Sequence, residues 1–125
     1  MMTANDLVNV DRIVGFLYRN GYDHLPENIL RDGVIRTVES NCYVVVEDRF
    51  GIAAMSWFDI VGWDAHVKRA IVREDVRNKG LIKYMIVLAW QKFPFLKRMT
   101  FERLAKYPNR LPKIYELSRF FKGGN

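Results

Sequence analysis

The feature that most constrains this chain is an apolar run followed by a charged turn and a long apolar stretch. Residues 67–72 predict a strand, and residues 81–93 predict a helix that is apolar around most of its circumference. A strand that feeds a helix through such a turn leaves several backbone N–H groups without intrahelical partners. These groups and the positive charges of Arg77, Lys79 and Lys83 suit an anion, especially a phosphate. The alternative is an ordinary strand-to-helix connection with solvated lysines.

Hydrophobic periodicity predicts helices before this unit. Apolar residues recur at helical spacing from Leu7 to Tyr18, and Asn20-Gly21 ends that helix. A second short helix runs from Pro26 to about Arg31, and Asp32-Gly33 is a turn signal. Residues 34–39 fit either a helix or a strand.

The period changes after residue 42 and predicts an antiparallel meander. Three strands are joined by hairpin connections, over residues 43–47, 52–60 and 65–72. The helix over residues 79–92, a strand over residues 98–104 and a last helix over residues 111–121 follow. The prediction is one α+β domain spanning residues 1–125, with a mixed sheet flanked by helices.

Composition narrows the classes of function. Half of the residues are apolar, which argues against intrinsic disorder. A single cysteine, Cys42, predicts no internal disulfide and fits the reducing cytoplasm. His24 and His66 lie far apart in the sequence, so no metal site is expected. We also expect no signal peptide and no membrane span.

The charge of the chain is divided unevenly. Residues 1–62 hold five Lys/Arg and nine Asp/Glu, whereas residues 63–125 hold fifteen Lys/Arg and five Asp/Glu. Such a basic second half predicts an anionic partner, which could be a phosphorylated cofactor, nucleic acid or an acidic protein. Basic residues with interleaved aromatics near Tyr107 are the feature that would favour nucleic acid, although no helix-turn-helix motif supports that alternative.

Two segments resemble one known family. The turn Arg77-Asn78-Lys79-Gly80-Leu81-Ile82 resembles the pyrophosphate loop of the GCN5-related N-acetyltransferases, whose pattern is Arg/Gln-x-x-Gly-x-Gly/Ala. Arg77 and Gly80 match, and Ile82 stands where the family prefers a small residue. Asn109 followed by the 113–122 segment looks like the family's asparagine and "LYEKLGF" segment.

The resemblance covers the second half of the chain well and the first half by element order. It implies a short acetyltransferase fold, with an antiparallel meander followed by helix, strand and helix. No clear first strand precedes Leu7, and the last two strands of the family would be lacking, since the chain ends where they would begin.

The resemblance also implies roles for named residues. Acetyl-CoA would be the co-substrate, with its pyrophosphate on the backbone of residues 77–82: Arg77, Asn78, Lys79, Gly80, Leu81 and Ile82. Its pantetheine arm and carbonyl would pair with the fourth family strand, here Ile71, Val72 and Arg73. Tyr115 in the last helix would protonate the leaving thiolate, and Asn109 would bind pantetheine or order its loop. Packing against Trp90 or Phe93 is the structural alternative for Tyr115.

The general base and the acceptor are less well defined. Glu102 is the first choice for the base, with Glu74 and His66 as alternatives. The family's acceptor cleft is walled by the first two helices, where Asp23, Glu27 and Asp32 would attract a cationic amine. A polyamine, an aminoglycoside or a protein lysine fits equally. Two other outcomes stay open, an inactive accessory protein with this fold and a homodimer that completes its sheet.

Overall fold

The computed structural model of this chain describes residues 2–101 and 113–118. Within these residues, the longer elements are three α-helices and five strands: α1 Ala4–Leu17, α2 Glu27–Ser40, β1 Tyr43–Asp48, β2 Gly51–Val61, β3 Asp64–Val72, α3 Leu81–Lys92, β4 Arg98–Phe101 and β5 Lys113–Glu116. The strands form one sheet in the order β1-β2-β3-β4-β5. The predicted α+β class with a mixed central sheet is therefore confirmed.

The sheet combines antiparallel and parallel pairing. Strands β1, β2 and β3 form the predicted meander, and β4 lies parallel to β3 after the crossover through α3. Strand β5 then pairs antiparallel with β4. A helix is the usual connection between adjacent parallel strands, because the chain must return to the same end of the sheet.

The predicted last helix is wrong over residues 113–116, which form β5. Tyr115 pairs with Met99, and its ring meets that of Phe101 edge to face at a centroid distance of 5.6 Å. The tyrosine and the isoleucine of this segment suit a pleated surface, and the edge of β4 supplies hydrogen-bond partners that outweigh the helical pattern. The chain thus has a fifth strand that the sequence interpretation lacked.

Helix α2 also differs from prediction, because it continues through Asp32 and Gly33 to Ser40. Leu30, Val34 and Val38 are buried at a spacing of four residues. The packing of this stripe outweighs the cost of an internal glycine, which is about 1 kcal/mol. Residues 34–39, left open between helix and strand, are therefore helical.

Helix α1 begins and ends with recognisable local chemistry. Thr3 and Asp6 form a reciprocal cap, with the Asp6 amide donating to the Thr3 hydroxyl at 3.1 Å. Within the segment Tyr18–Tyr22 that follows α1, helical geometry is lost at Asn20 and at Gly21, whose φ is 111°. The predicted end of the first helix is confirmed.

Each face of the sheet carries its own hydrophobic core. One face packs against α3, with buried residues Met85, Ile86, Ala89, Phe58, Ala65, Val67, Leu96, Met99 and Leu117 among others. The opposite face packs against α1 and α2, with buried residues Val10, Ile13, Phe16, Leu17, Leu30, Val34 and Met55 among others. The two layers hold β3 in place between them.

A β-bulge interrupts β3 at Lys68. Trp57 pairs with Arg69 and Phe58 pairs with Val67, so one extra residue stands in β3. The buried Ser56 hydroxyl donates to the Arg69 carbonyl at 3.0 Å, which satisfies the backbone at this irregularity. Bulges bend a strand and re-aim its side chains. Among the described residues, β4 pairs with β3 only over residues 64–67, before the bulge.

Candidate cofactor cleft

A cleft of about 690 Å³ lies on the α3 face, where β3 ends and α3 begins. We call it the β3–α3 cleft. Its described lining residues come from β3, the following turn, the start of α3 and β5: Ala70, Val72, Val76, Arg77, Asn78, Gly80, Leu81, Ile82, Lys83, Lys113 and Tyr115. The fold therefore brings Tyr115 to the same cleft as the turn over residues 77–82, although more than thirty residues separate them in sequence.

The backbone of the turn leaves the helix start open. Asn78 and Gly80 adopt left-handed conformations, with φ of 63° and 79°. These are the residue types that reach this region at lowest cost. The Tyr84 amide donates to the Gly80 carbonyl as the first bond of α3, and no side chain caps the helix. The amides of residues 81–83 thus precede the helical bonding pattern and can receive an anion.

The charges around the cleft favour an anion as well. Arg77, Lys83 and Lys113 line it, and the described lining contains no Asp or Glu. The first turn of α3 has no acidic residue to neutralise the positive end of the helix dipole. Arg77 also donates from Nε to the Val72 carbonyl at 3.2 Å, which ties the turn to the end of β3.

Strand β3 presents alternate backbone groups to its two edges. The Arg73 amide donates to the Ala53 carbonyl at 2.8 Å, so the backbone of Arg73 faces β2. Since successive residues of a strand point their N–H and C=O groups to opposite sides, Val72 faces the other edge and Ile71 faces β2. Of the three residues predicted to pair with pantetheine, Val72 is the one whose backbone faces the cleft edge, where its carbonyl already accepts from Arg77.

The Arg73 side chain holds the start of the turn against the hairpin between β1 and β2. It contacts Asp48 at 2.5 Å and Asp75 at 2.6 Å, and it donates to the Ile52 carbonyl at 3.2 Å. Hydrogen bonds from this guanidinium lower the pKa of both Asp48 and Asp75. The sequence interpretation gave Arg73 a backbone role, whereas its side chain positions the segment that leads into the cleft.

We predict that Arg73→Gln lowers the melting temperature by a few degrees at pH 7. The folded-state pKa of Asp48 and Asp75 lies below the unfolded value, so their contribution is present above pH about 4 and is lost as the pH falls through the folded pKa. The difference in melting temperature between the two proteins should therefore close below pH about 4. Arg36→Gln, on the exposed surface of α2, is the control. A difference that stays constant from pH 7 to pH 3 would contradict the ion-pair explanation.

Tyr115 is half-buried beside β4. Its ring contacts Phe101, and the Lys113 ammonium lies 5.1 Å from its centroid. This ring contact is with a strand residue, and the predicted alternative of packing on Trp90 or Phe93 stays a prediction. Tyr115 also lines the β3–α3 cleft, so packing and a role in the cleft are compatible.

Leu81 and Ile82 begin α3 and are both partly buried against the core of the α3 face. Ile82 also lines the cleft. Its β-branched side chain therefore has apolar neighbours on the core side and also contributes to the wall of the cleft.

Of the four remaining site candidates, the structure describes two. Glu102 and Asn109 fall outside the described residues. Glu74 is exposed in the short turn Glu74–Val76, and His66 lies on β3 before the bulge, opposite Asp59. Neither is among the described residues that line the cleft.

Several residues that line the cleft were not predicted as site residues from the sequence. Ala70, Val76 and Lys113 line the cleft, and Lys83 was noted for its charge alone. The bulge at Lys68 brings Ala70 to the same face as Val67, which simple alternation from Val67 would not predict. Lys113 is placed by β5, so no local pattern marks it.

The described residues contain no helix that is long and apolar enough to cross a membrane. No family model matches the chain, and no curated protein matches it. Solved structures do match. The aminoglycoside N-acetyltransferase AAC(6')-Iy in complex with CoA is 10% identical, with a TM-score of 0.63 over 82% of this chain and 75% of that one.

This chain has the fold of the GCN5-related N-acetyltransferases. A chimera of the spermidine N-acetyltransferase SpeG from Vibrio cholerae and hSSAT matches at 12% identity and a TM-score of 0.55, over 88% of this chain and 72% of that one. The GNAT-like decarboxylase GphF in complex with isobutyryl-CoA matches at 14% identity and a TM-score of 0.57, over 82% of this chain and 65% of that one. Proteins with this fold thus catalyse more than one reaction, so the reaction of this chain must be inferred from the residues of its site.

Proposed function

We propose that this protein is an acetyl-CoA-dependent N-acetyltransferase that acts on a primary amine. One observation carries the proposal. The β3–α3 cleft joins an uncapped helix start, three lining cations and a tyrosine in a single cavity. Neighbours of the same fold are described as complexes with CoA or with an acyl-CoA.

The residues present suit the parts of acetyl-CoA. The amides of residues 81–83 and the charges of Arg77 and Lys83 would hold the diphosphate. The backbone of Val72 would pair with the pantetheine arm, as a strand edge pairs with an extended chain. Leu81 and Ile82 would give the apolar wall beside it. The bound co-substrate would supply an activated acetyl group.

Two residues of this chain would carry out the proton transfers that the reaction requires. Attack needs a neutral amine, and the departing thiolate needs a proton. The Tyr115 hydroxyl would donate that proton, because the side chain lines the cleft at the end of β3. Glu102, which follows β4 directly, stays the first choice for taking a proton from the amine.

The first test is a thermal-shift titration with acetyl-CoA, compared with CoA and with acetyl-pantetheine. A ligand that binds only the native state stabilises it according to its occupancy, by about 2.7 kcal/mol at a hundredfold excess over Kd. We expect saturable shifts with acetyl-CoA and CoA, and a much weaker effect of acetyl-pantetheine, which lacks the diphosphate. Release of free thiol in the presence of a primary amine then measures transfer.

Three results separate this proposal from its alternatives. Binding of acetyl-CoA without transfer to any amine would favour an accessory protein that keeps the fold. No shift at millimolar acetyl-CoA would contradict the enzyme. Salt-sensitive binding to nucleic acid with no effect of acetyl-CoA would favour a nucleic-acid-binding module.

A further inference from the structure

A second cavity lies on the opposite face of the sheet, between α1, α2 and β2. We call it the α2 cavity. Its volume is about 170 Å³, and its walls include Leu17, Tyr22, Ile29, Val34, Met55 and Trp57. An engineered apolar cavity of about 150 Å³ holds one benzene molecule, so the α2 cavity has the size of a single ring.

The walls are aromatic and apolar. The Tyr22 and Trp57 rings meet at 6.2 Å and an angle of 60°, and His24 stacks on Tyr22 at 6.3 Å. Aromatic rings favour such edge-to-face and offset contacts with one another. A third ring placed between these walls would make the same kind of contact.

The described lining of the α2 cavity offers no counter-charge to a polycation. No carboxylate is among its described lining residues, and Asp23 and Glu27 of the neighbouring loop and helix are exposed. Arg69 of β3 pairs with Trp57 of this wall, and its positive charge opposes the rise that burial causes in the pKa of Tyr22. A ligand with several positive charges would meet Arg69 with no counter-charge in the cavity.

The α2 cavity rests on β2, the strand that pairs with the part of β3 that lines the β3–α3 cleft on the opposite face of the sheet. Met55 and Trp57, which line the cavity, pair with Ile71 and Arg69 of β3. Ala70 and Val72 of the same segment line the cleft. A molecule in the cavity would therefore pack on the strand adjacent to the segment of β3 that is proposed to pair with pantetheine.

We propose that the α2 cavity binds the single aromatic or similarly sized apolar ring of the amine acceptor. This inference rests on the proposed function and names its substrate class. Small amines with one ring, of the phenethylamine type, are then the preferred acceptors. Polyamines and aminoglycosides, which carry several charges and no aromatic ring, are poor ones.

The test uses 4-fluorophenethylamine, whose binding is followed by fluorine NMR with and without CoA. Ile29→Trp is the blocking variant, because Ile29 lines the cavity and is 52% exposed, so a larger side chain can cover the opening without disturbing the core. Val8→Trp is the matched control, since Val8 is 56% exposed on α1 and is not among the cavity's described lining residues. Both variants should melt close to the parent protein.

We expect Ile29→Trp to weaken binding of the fluorinated amine at least tenfold and Val8→Trp to leave it unchanged. Acetyl transfer should favour phenethylamine over spermidine at least tenfold in kcat/KM, and Ile29→Trp should remove that preference. Transfer that favours spermidine, or ring binding that ignores Ile29→Trp, would overturn the inference while leaving the proposed function intact. Absence of acetyl-CoA binding would overturn the proposed function, and the fluorine signal would still decide whether the cavity takes a ring.

Discussion

Replacing Gly80 with Asp should weaken the binding of acetyl-CoA by roughly ten- to a hundredfold. Gly80 stands immediately before α3 with φ of 79°, and a Cβ built on it meets no described atom within 4 Å. The new carboxylate would therefore fit and would face the proposed diphosphate. Two like charges 4 Å apart repel by about 1 kcal/mol in water and about 4 kcal/mol near a protein surface. A repulsion between these two values, of about 1.4 to 2.8 kcal/mol, corresponds to the expected ten- to hundredfold loss of affinity.

The matched control is Gly80→Asn. Asparagine has the shape of aspartate without its charge, and it tolerates the left-handed conformation about as well. We expect its Kd for acetyl-CoA to stay within about threefold of that of the parent protein. The difference between the two variants should shrink as salt is raised, because exposed charges are screened.

A second control separates binding from stability. Gly62 also has a positive φ, of 61°, but lies in the turn between β2 and β3. Gly62→Asp should lower stability to a similar extent as Gly80→Asp and leave acetyl-CoA binding unchanged. Equal Kd values for Gly80→Asp and Gly80→Asn would show that no phosphate lies beside Gly80.

Replacing Tyr115 with Phe should lower kcat for acetyl transfer about a hundredfold, which is the usual contribution of a positioned general acid. The change removes the hydroxyl and keeps the ring, so the edge-to-face contact with Phe101 is retained. The Kd for acetyl-CoA and the melting temperature should therefore change little. Isothermal titration and the free-thiol assay measure the two quantities separately.

Tyr84→Phe is the control for Tyr115. Tyr84 is 51% exposed on α3, and it is not among the described residues that line the cleft. Its substitution should leave both kcat and Kd unchanged. If Tyr115→Phe keeps the kcat of the parent protein, the leaving thiolate receives its proton from another source, and Tyr115 serves only to pack against β4.

The strand–turn–helix unit could be predicted well from sequence. Its apolar runs are long, its turn contains the charged residues and the glycine, and each boundary is set by residues close in sequence. The meander over β1, β2 and β3 was predictable for the same reason, because alternation and hairpin turns are local signals. The structure confirms these elements with boundaries shifted by one or two residues.

The segment around Tyr115 shows where a local pattern misleads. The sequence pattern predicts a helix over residues 111–121, yet residues 113–116 form a strand that pairs with β4. The deciding partner, Met99, is sixteen residues from Tyr115 in sequence, so no window around Tyr115 contains it. Asp32-Gly33 predicts a turn, but α2 continues through both residues because the packing of its buried face outweighs this local signal.

The sequence by itself determined the charged turn, the apolar helix behind it and the order of the first three strands, because contacts between near neighbours fix them. Only the tertiary structure decided that Tyr115 shares a cleft with that turn, that the bulge at Lys68 brings Ala70 to the face of the cleft, and that a ring-sized cavity lies beside β2 on the opposite face of the sheet. Each of these depends on residues far apart in the chain. Their contact is settled by pairing and packing across the sheet, which no local pattern records.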